Sequence, residues 1–541
     1  MKKNGIFSFL VGRGLIFCPI VFVLTLYFTK GIPPNTPING EEIAGLISVS
    51  CLPVLLVAME SSGNLKAKNE ENGREVAKRP KVPQEMLYKI PEGFCFGTYK
   101  GKYVCKRVDE PGSILVQGGS GTGKSASIIQ GYLLNPANKE TCNALVLDLK
   151  HELADKCVLP EEMYRPDNPS GNVILLDPLD RMNGYGYDPF FLLDEKSTDG
   201  EVHEVMEVFT NSVIPTGKGD NQVWGLAAQQ FLRGACTYFY KYEDGDKSVP
   251  GLIKQIKARP IGETVDHIIA NAPPESTAYL DMISFKGMAA ETITSVDMNL
   301  SQKIVQFSTS QDLIWCLSSN PRKCSPKDLL EKNIYLCIPE DKLQQWGQLV
   351  FLVFNQTLSW MMSLPEHEQE PTRKRFAMIL DETVALLAGI GAPIPLLSQC
   401  LRIGARGKGC TMLVCCQSIA GLYSVMGKEE VKDMVSNMSY KYILDSSDTE
   451  TSREIIGWCG KFLSRKISSS GGGSQRKDST SYEEQDIVNE QDLVALPKEE
   501  DIILVSSRAG YLRLKKCLVF KDSFYKPLLK KVKEAKSNER R

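Results

Sequence analysis

The fold turns on SILVQGGSGTGKSAS, residues 113–127, where a short apolar run meets glycines at 118, 119, 121 and 123 and then a lysine and a serine. Gly118, Gly123, Lys124 and Ser125 complete the spacing G-x-x-x-x-G-K-[ST]. Context supports the match: the apolar run 114–116 reads as a strand, and ASIIQGYLL, residues 126–134, reads as a helix. In a loop of this kind, Gly118, Gly119, Ser120, Gly121, Thr122 and Gly123 curl their backbone amides around phosphate groups, with the following helix directing its N-terminus at the charge. Lys124 neutralises the terminal phosphates and the Ser125 hydroxyl ligates a metal ion. The implied ligands are ATP and Mg2+.

Hydrolysis also needs a carboxylate at the end of another buried strand. FAMILDE, residues 376–382, supplies one: five apolar residues, then Asp381 placed for the metal and Glu382 for polarising water as general base. Acid pairs are common on surfaces, but two at the end of a buried strand are costly unless a cation sits beside them. TMLVCCQS, residues 411–418, is a further apolar strand ending in Gln417, a candidate γ-phosphate sensor. Just before it, LRIGARGKGC, residues 401–410, offers Arg406, with Arg402 as a rival, to stabilise charge on a nucleotide held by a neighbouring subunit. The plain alternative for both arginines is an exposed loop charge.

Outward from these motifs, apolar runs at 114–116, 144–147, 173–176, 334–338, 376–380 and 411–415 alternate with helical patterns, the signature of buried parallel strands with crossover helices. Between 193 and 300 the alternation lapses. Trp224, Ala228, Phe231, Ala235, Tyr238 and Tyr242 instead recur at helical spacing, which predicts the core face of a helix in an inserted all-α domain rather than a base-stacking platform. The predicted plan is an α/β nucleotide-binding domain in two parts, 88–192 and 301–530, around the insertion at 193–300, with a charged tether at 63–87 and a solvated basic tail at 531–541. SSSGGGSQRKDSTS, residues 468–481, reads as a flexible surface loop, and 501–507 and 511–520 as closing strands.

At the N-terminus, LIFCPIVFVLTLYFT (15–29) and IAGLISVSCLPVLLVAM (43–59) read as two membrane helices within an anchor at 1–62. No small-residue cleavage site follows the first run, which argues against a signal peptide. Lys2, Lys3 and Arg13 precede it, and Lys66, Lys68, Arg74, Lys78, Arg79 and Lys81 follow the second, so both termini and the ATPase part are predicted on the cytoplasmic side of the inner membrane. With 42% apolar and 24% charged residues over 541 positions, the bulk is ordinary globular protein, and a formal charge of -1 excludes a globally basic nucleic-acid binder. The 16 cysteines lack a C-x-x-C pair, and the 4 histidines are not spaced as ligand pairs; they read as reduced thiols without a zinc motif.

Taken together, GGSGTGKS, LVLDLKHEL (145–153), DNQVWGLAAQQFL (220–232), ILDE, LRIGARGKG, CCQS and DLVALPKEEDIIL (492–504) resemble, in order, the landmarks of type IV secretion coupling proteins, the conjugative TraG/TraD-type ATPases. The resemblance spans nearly the whole chain. It implies a RecA-like P-loop motor domain with an inserted all-α domain and a two-helix transmembrane anchor. It further implies a homo-hexamer with nucleotide at subunit interfaces, and delivery of relaxase-bound single-stranded DNA or effector proteins to the secretion channel. By this likeness Lys124 and Ser125 match the Walker A pair, Asp381 and Glu382 the Walker B pair, Gln417 the sensor and Arg406 the arginine before the sensor strand. His151 stands where the family usually has glycine, and Thr383 where an aromatic is common. An ATP-regulated substrate receptor or scaffold, or an FtsK-like DNA pump, are the alternative functions.

Overall fold

A computed structural model of the chain describes residues 81–215, 222–390, 395–470 and 477–539. The strands, in chain order, are β1 Leu87–Tyr88, β2 Phe94–Tyr99, β3 Lys102–Lys106, β4 Ile114–Gln117, β5 Cys142–Asp148, β6 Val173–Leu176, β7 Gly186–Tyr187, β8 Lys323–Cys324, β9 Asn333–Cys337, β10 Arg375–Leu380, β11 Cys410–Cys416, β12 Tyr440–Ile443, β13 Lys461–Ser470, β14 Lys477–Asp486, β15 Asp501–Ser506 and β16 Gly510–Lys515. A 12-stranded sheet runs β1-β3-β2-β16-β15-β12-β4-β11-β10-β5-β9-β6. From β12 to β6 every neighbouring pair is parallel. The edge formed by β15, β16, β2, β3 and β1 is antiparallel.

The parallel half exists because its strands are apolar on both faces. Along β5, Leu145 and Leu147 enter one core cluster while Ala144 and Val146 enter the other, and β10 divides in the same way between Met378 and Ile379. Strands buried on both faces need crossover connections that cover the sheet. A parallel arrangement also brings the carboxyl ends of β12, β4, β11, β10 and β5 to one edge, the place where open α/β sheets bind ligands.

After β7 the chain forms helices Asp199–Val213, Gln222–Lys241, Val249–Ile256, Ile261–Asn271, Thr277–Ile283 and Ala290–Ile304, with further helical turns to Ser319. The boundary drawn at 300 therefore falls inside a helix: Leu300 and Ile304, one turn apart, are both fully buried, so its apolar stripe continues across the boundary. A capping box starts the first helix, where the Thr198 hydroxyl accepts from the Glu201 amide while the Glu201 carboxylate accepts from that of Thr198. In Gln222–Lys241 the middle of the predicted stripe is a core face, with Ala228, Phe231, Ala235 and Tyr238 buried, whereas Trp224 is half-buried and Tyr242, past the helix end, is 37% exposed.

Three other sequence expectations change. Folded structure begins before residue 88, because Val82 and Met86 are already buried. The 531–541 stretch is helical over its described length, as part of helix Tyr525–Glu539; Val532 is buried and Lys536 Nζ donates to the Ala154 carbonyl at 2.9 Å, while most of its other described residues are solvated as expected. Nor is 468–481 simply a loop, since β13 and β14 pair antiparallel from Lys461↔Asp486 to Ser470↔Lys477. That hairpin belongs to a compact unit separate from the one formed by Pro80–Gly460 and Val488–Arg541. The predicted spans at 15–29 and 43–59 lie outside the described residues; among the described residues no helix is long and apolar enough to cross a membrane.

If the aromatic stripe is core, Phe231→Ala, at a fully buried position, lowers unfolding free energy by about 3–5 kcal/mol. Val223→Ala on the same helix, at a position 67% exposed, changes it by less than about 0.5 kcal/mol. Urea denaturation of the two variants beside the parent reads both values.

Candidate nucleotide site

The loop after β4 turns at Gly121 and Gly123, whose φ of 76° and 95° lie in the left-handed region that side chains avoid. Thr122 closes the turn by donating its hydroxyl to the Gly119 carbonyl at 2.8 Å. The Gly118 amide donates to the Cys416 carbonyl at 3.2 Å, which ties the loop to the end of β11. From Ser125 to Ile129 the following helix is wound as a single wide turn, a local irregularity that recurs at functional sites.

Lys124 is only 5% exposed, and its Nζ donates to the carbonyls of Gly118 at 2.7 Å and Gly119 at 3.3 Å. Its charge is thus held inside the loop. The Ser125 hydroxyl donates to Asp381 Oδ2 at 2.9 Å, and the second carboxylate oxygen lies at 3.2 Å. Burial raises the Asp381 carboxyl from 3.8 to about 6; the Ser125 hydrogen bond and Lys124 oppose the rise, while the charges of Glu382 and Asp148 add to it. Two hard oxygen donors, one of them a carboxylate paying a desolvation penalty, fit a magnesium ion.

Glu382 directly follows Asp381, at the start of helix Thr383–Ile390. Gln417, exposed at the end of β11, places Nε2 3.4 Å from Glu382 Oε2, and its carbonyl accepts from Gln117 Nε2 at 3.1 Å. The loop from Gly118 to Ser125, Asp381, Glu382 and Gln417 are therefore gathered at one sheet edge, with β11 between the strands that carry Lys124 and Asp381.

Arg406 is not among them. It sits exposed at the amino end of β11, whereas the loop lies at the carboxyl end of the same sheet. Seven residues of strand separate the two ends, about 20 Å at ordinary strand rise. Arg406 therefore cannot reach its own chain's nucleotide loop. Arg402 lies 3.6 Å from Asp433 within the chain.

Further residues of this edge escaped the sequence reading. Asp445, just past β12, accepts from the Gly119 amide at 2.7 Å. Lys516, just past β16, donates Nζ to the Thr122 carbonyl at 2.8 Å, and burial lowers its pKa. Asp148 ends β5, and its Oδ2 accepts from the Ala154 amide at 2.8 Å; burial raises its carboxyl despite that bond. An apolar strand ending in an acid, the pattern that marked Asp381, also marks Asp148; β12 carries Lys441 and stops two residues short of Asp445, so the pattern is broken there. Nothing local marks Lys516.

Fold and site together define an α/β protein of the P-loop nucleotide-binding class. Within that class, the chain belongs to the type IV secretory system conjugative DNA transfer family, whose model matches residues 56–540. Its fold is similar to that of the bacterial conjugative coupling protein TrwB in an unbound form, at 18% identity and a TM-score of 0.60, over 83% of this chain and 91% of that one. Structures of TrwB with the non-hydrolysable ATP analogue ADPNP and with ADP and Mg2+ match over 83% of this chain and 92% of theirs, each at 18% identity, with TM-scores of 0.59 and 0.57. No curated protein sequence matches the chain.

Because Asp381 is held at about 6 against an ordinary 3.8, the folded state binds more protons than the unfolded state across that window, and nucleotide-free stability falls as pH rises through it. Asp381→Asn then stabilises the nucleotide-free protein near pH 7.5 by on the order of 1–3 kcal/mol. The advantage disappears below about pH 4, where both states of the parent are protonated. Denaturation curves of parent and variant across this range measure the crossover.

Proposed function

We propose that the chain is a membrane-anchored ATPase that couples cargo, relaxase-bound single-stranded DNA or effector proteins or both, to a type IV secretion channel and drives its passage by hydrolysing ATP. The observation that carries this reading is the approach of Ser125 to Asp381 at 2.9 Å across the β4–β11–β10 edge, directly beside the loop that holds Lys124. Family membership supports the secretion role, and the nucleotide complexes of TrwB support the choice of ligand.

In this reading, amides of the 118–123 loop bind the phosphates, and Lys124 swings from the Gly118 and Gly119 carbonyls onto the terminal phosphate oxygens. Ser125 and Asp381 would hold magnesium, which neutralises charge on the triphosphate. Glu382 takes the proton of the attacking water, and Gln417, hydrogen-bonded to Glu382, orients that water. Arg406, distant from its own loop, serves the nucleotide of a neighbouring subunit. A contact of this heterologous kind, repeated around a closed rotation, gives a ring, here a homo-hexamer. The RecA-like motor carries the inserted helical domain, and the anchor at 1–62 holds it at the inner membrane as a two-pass protein with the ATPase and both termini cytoplasmic.

Glu382→Gln retains ATP binding and loses turnover by about 100-fold or more, measured as phosphate release beside equilibrium nucleotide binding. Lys124→Ala abolishes both turnover and cargo transfer; a variant that transfers normally without hydrolysis sinks the motor reading. Mixing Lys124→Ala with Arg406→Ala subunits restores part of the ATPase rate that neither has alone, because an intact loop then meets an intact arginine at mixed interfaces. Absence of complementation removes Arg406 from the mechanism.

A further inference from the structure

Farther along the same sheet edge from the glycine loop lies a second cluster of polar side chains. Asp148 and Cys337 are register partners on β5 and β9, and Leu336 of β9 pairs with Leu176 of β6, so Asp177 comes up beside Cys337. The turn after β5 brings in His151. One ligand atom from each of His151, Asp177 and Cys337 lies within 4.8 Å of the other two. His151 Nδ1 is 3.5 Å from Asp177 Oδ2.

Several independent features make this an organised cluster rather than a chance meeting. Asp177 spends Oδ1 on the backbone amides of Leu179 at 2.9 Å and Asp180 at 3.4 Å, which fix the carboxylate and turn Oδ2 towards the histidine. Orientation of a ligand by outer hydrogen bonds is typical of metal sites. His151 itself stands at φ 54°, ψ 16°, a left-handed conformation that costs energy for a residue with a Cβ. A glycine would sit there without strain, so the imidazole is kept at a cost. Its Nε2 is shielded from water yet has no hydrogen-bond partner. Asp177 is nearly inaccessible, as is Asp148, the register partner of Cys337 on the neighbouring strand, and a cation relieves the cost of burying such acids.

We propose that His151, Asp177 and Cys337 form a binding site for a thiophilic divalent cation, of which Zn2+ is the natural occupant. One nitrogen, one carboxylate oxygen and one sulfur match zinc and disfavour magnesium, which takes oxygen ligands. Binding deprotonates the Cys337 thiol and releases its proton to solvent. The histidine side chain is 39% exposed, which gives the ion a way in and leaves its fourth position to water. Such an ion would tie together the carboxyl ends of β5, β9 and β6, with β5 directly adjoining the strand that carries Asp381. The proposal does not depend on the nucleotide reading.

Co2+ replaces zinc as an optical probe. The purified full chain, stripped with a chelator, is titrated with Co2+ and followed by the near-ultraviolet thiolate-to-cobalt absorption; zinc affinity is then read by competition. One equivalent per chain is expected to give the absorption, and Cys337→Ser should abolish it. His151→Gly should weaken binding by about 100-fold while melting at the same temperature as the parent or higher, because the substitution relieves backbone strain. That pairing separates lost ligation from lost folding. The proposal is overturned if the parent gives no thiolate band at one equivalent, if the band survives Cys337→Ser, or if His151→Gly binds Co2+ as tightly as the parent.

Discussion

The contact between the Ser125 hydroxyl and the half-buried Asp381 carboxylate sets the terms for the rest of the site. A carboxylate partly withdrawn from water is an electrostatic cost, seen in the upward displacement of its pKa. The Ser125 hydrogen bond and the Lys124 charge offset part of that cost, and parallel strands hold the acid in place, β10 being registered against β5 on one side and β11 on the other. Such a sheet cannot bend locally to let the acid escape. The site is therefore held ready for charge by the same packing that makes the core.

From this follows the division of labour along the sheet edge. The loop of β4 holds a positive charge against its own carbonyls, β10 holds the negative one, and β11 places Gln417 between them. The edge continues into β12, where Asp445 engages the Gly119 amide, and into β5, where Asp148 caps the next helix. At the opposite edge lies Arg406. Its separation from the loop makes any catalytic use of this arginine a matter between subunits, and so connects chemistry to assembly.

How much of this could be read in the chain depended on how local its signal was. The 118–125 loop and FAMILDE are contiguous patterns, and each fell on the strand end it implied. The aromatic stripe was legible because helical periodicity survives within twenty residues, whereas the end of the helical region was not: the stripe of Ala290–Ile304 runs on past 300 without a composition change. In Tyr525–Glu539, Leu529 and Val532 are outnumbered by lysines, and the helix looked like a charged tail. β13 and β14 are rich in serine and charge, so no apolar alternation betrayed them. Lys516 and the His151, Asp177 and Cys337 cluster were invisible for a different reason. Their members meet only through strand order, and no spacing rule connects residues brought together by topology.

The rear of the nucleotide loop is built from residues far along the chain, Lys516 being 394 positions past Thr122. Lys516 reaches the Thr122 carbonyl, the Val519 amide donates to Ala126, and the Tyr525 ring packs beside Gly131. A ribosome that has finished Thr122 must still translate 394 residues to Lys516 before the first of these supports exists. A chain cut short of Lys516 thus carries the glycine turn without this backing.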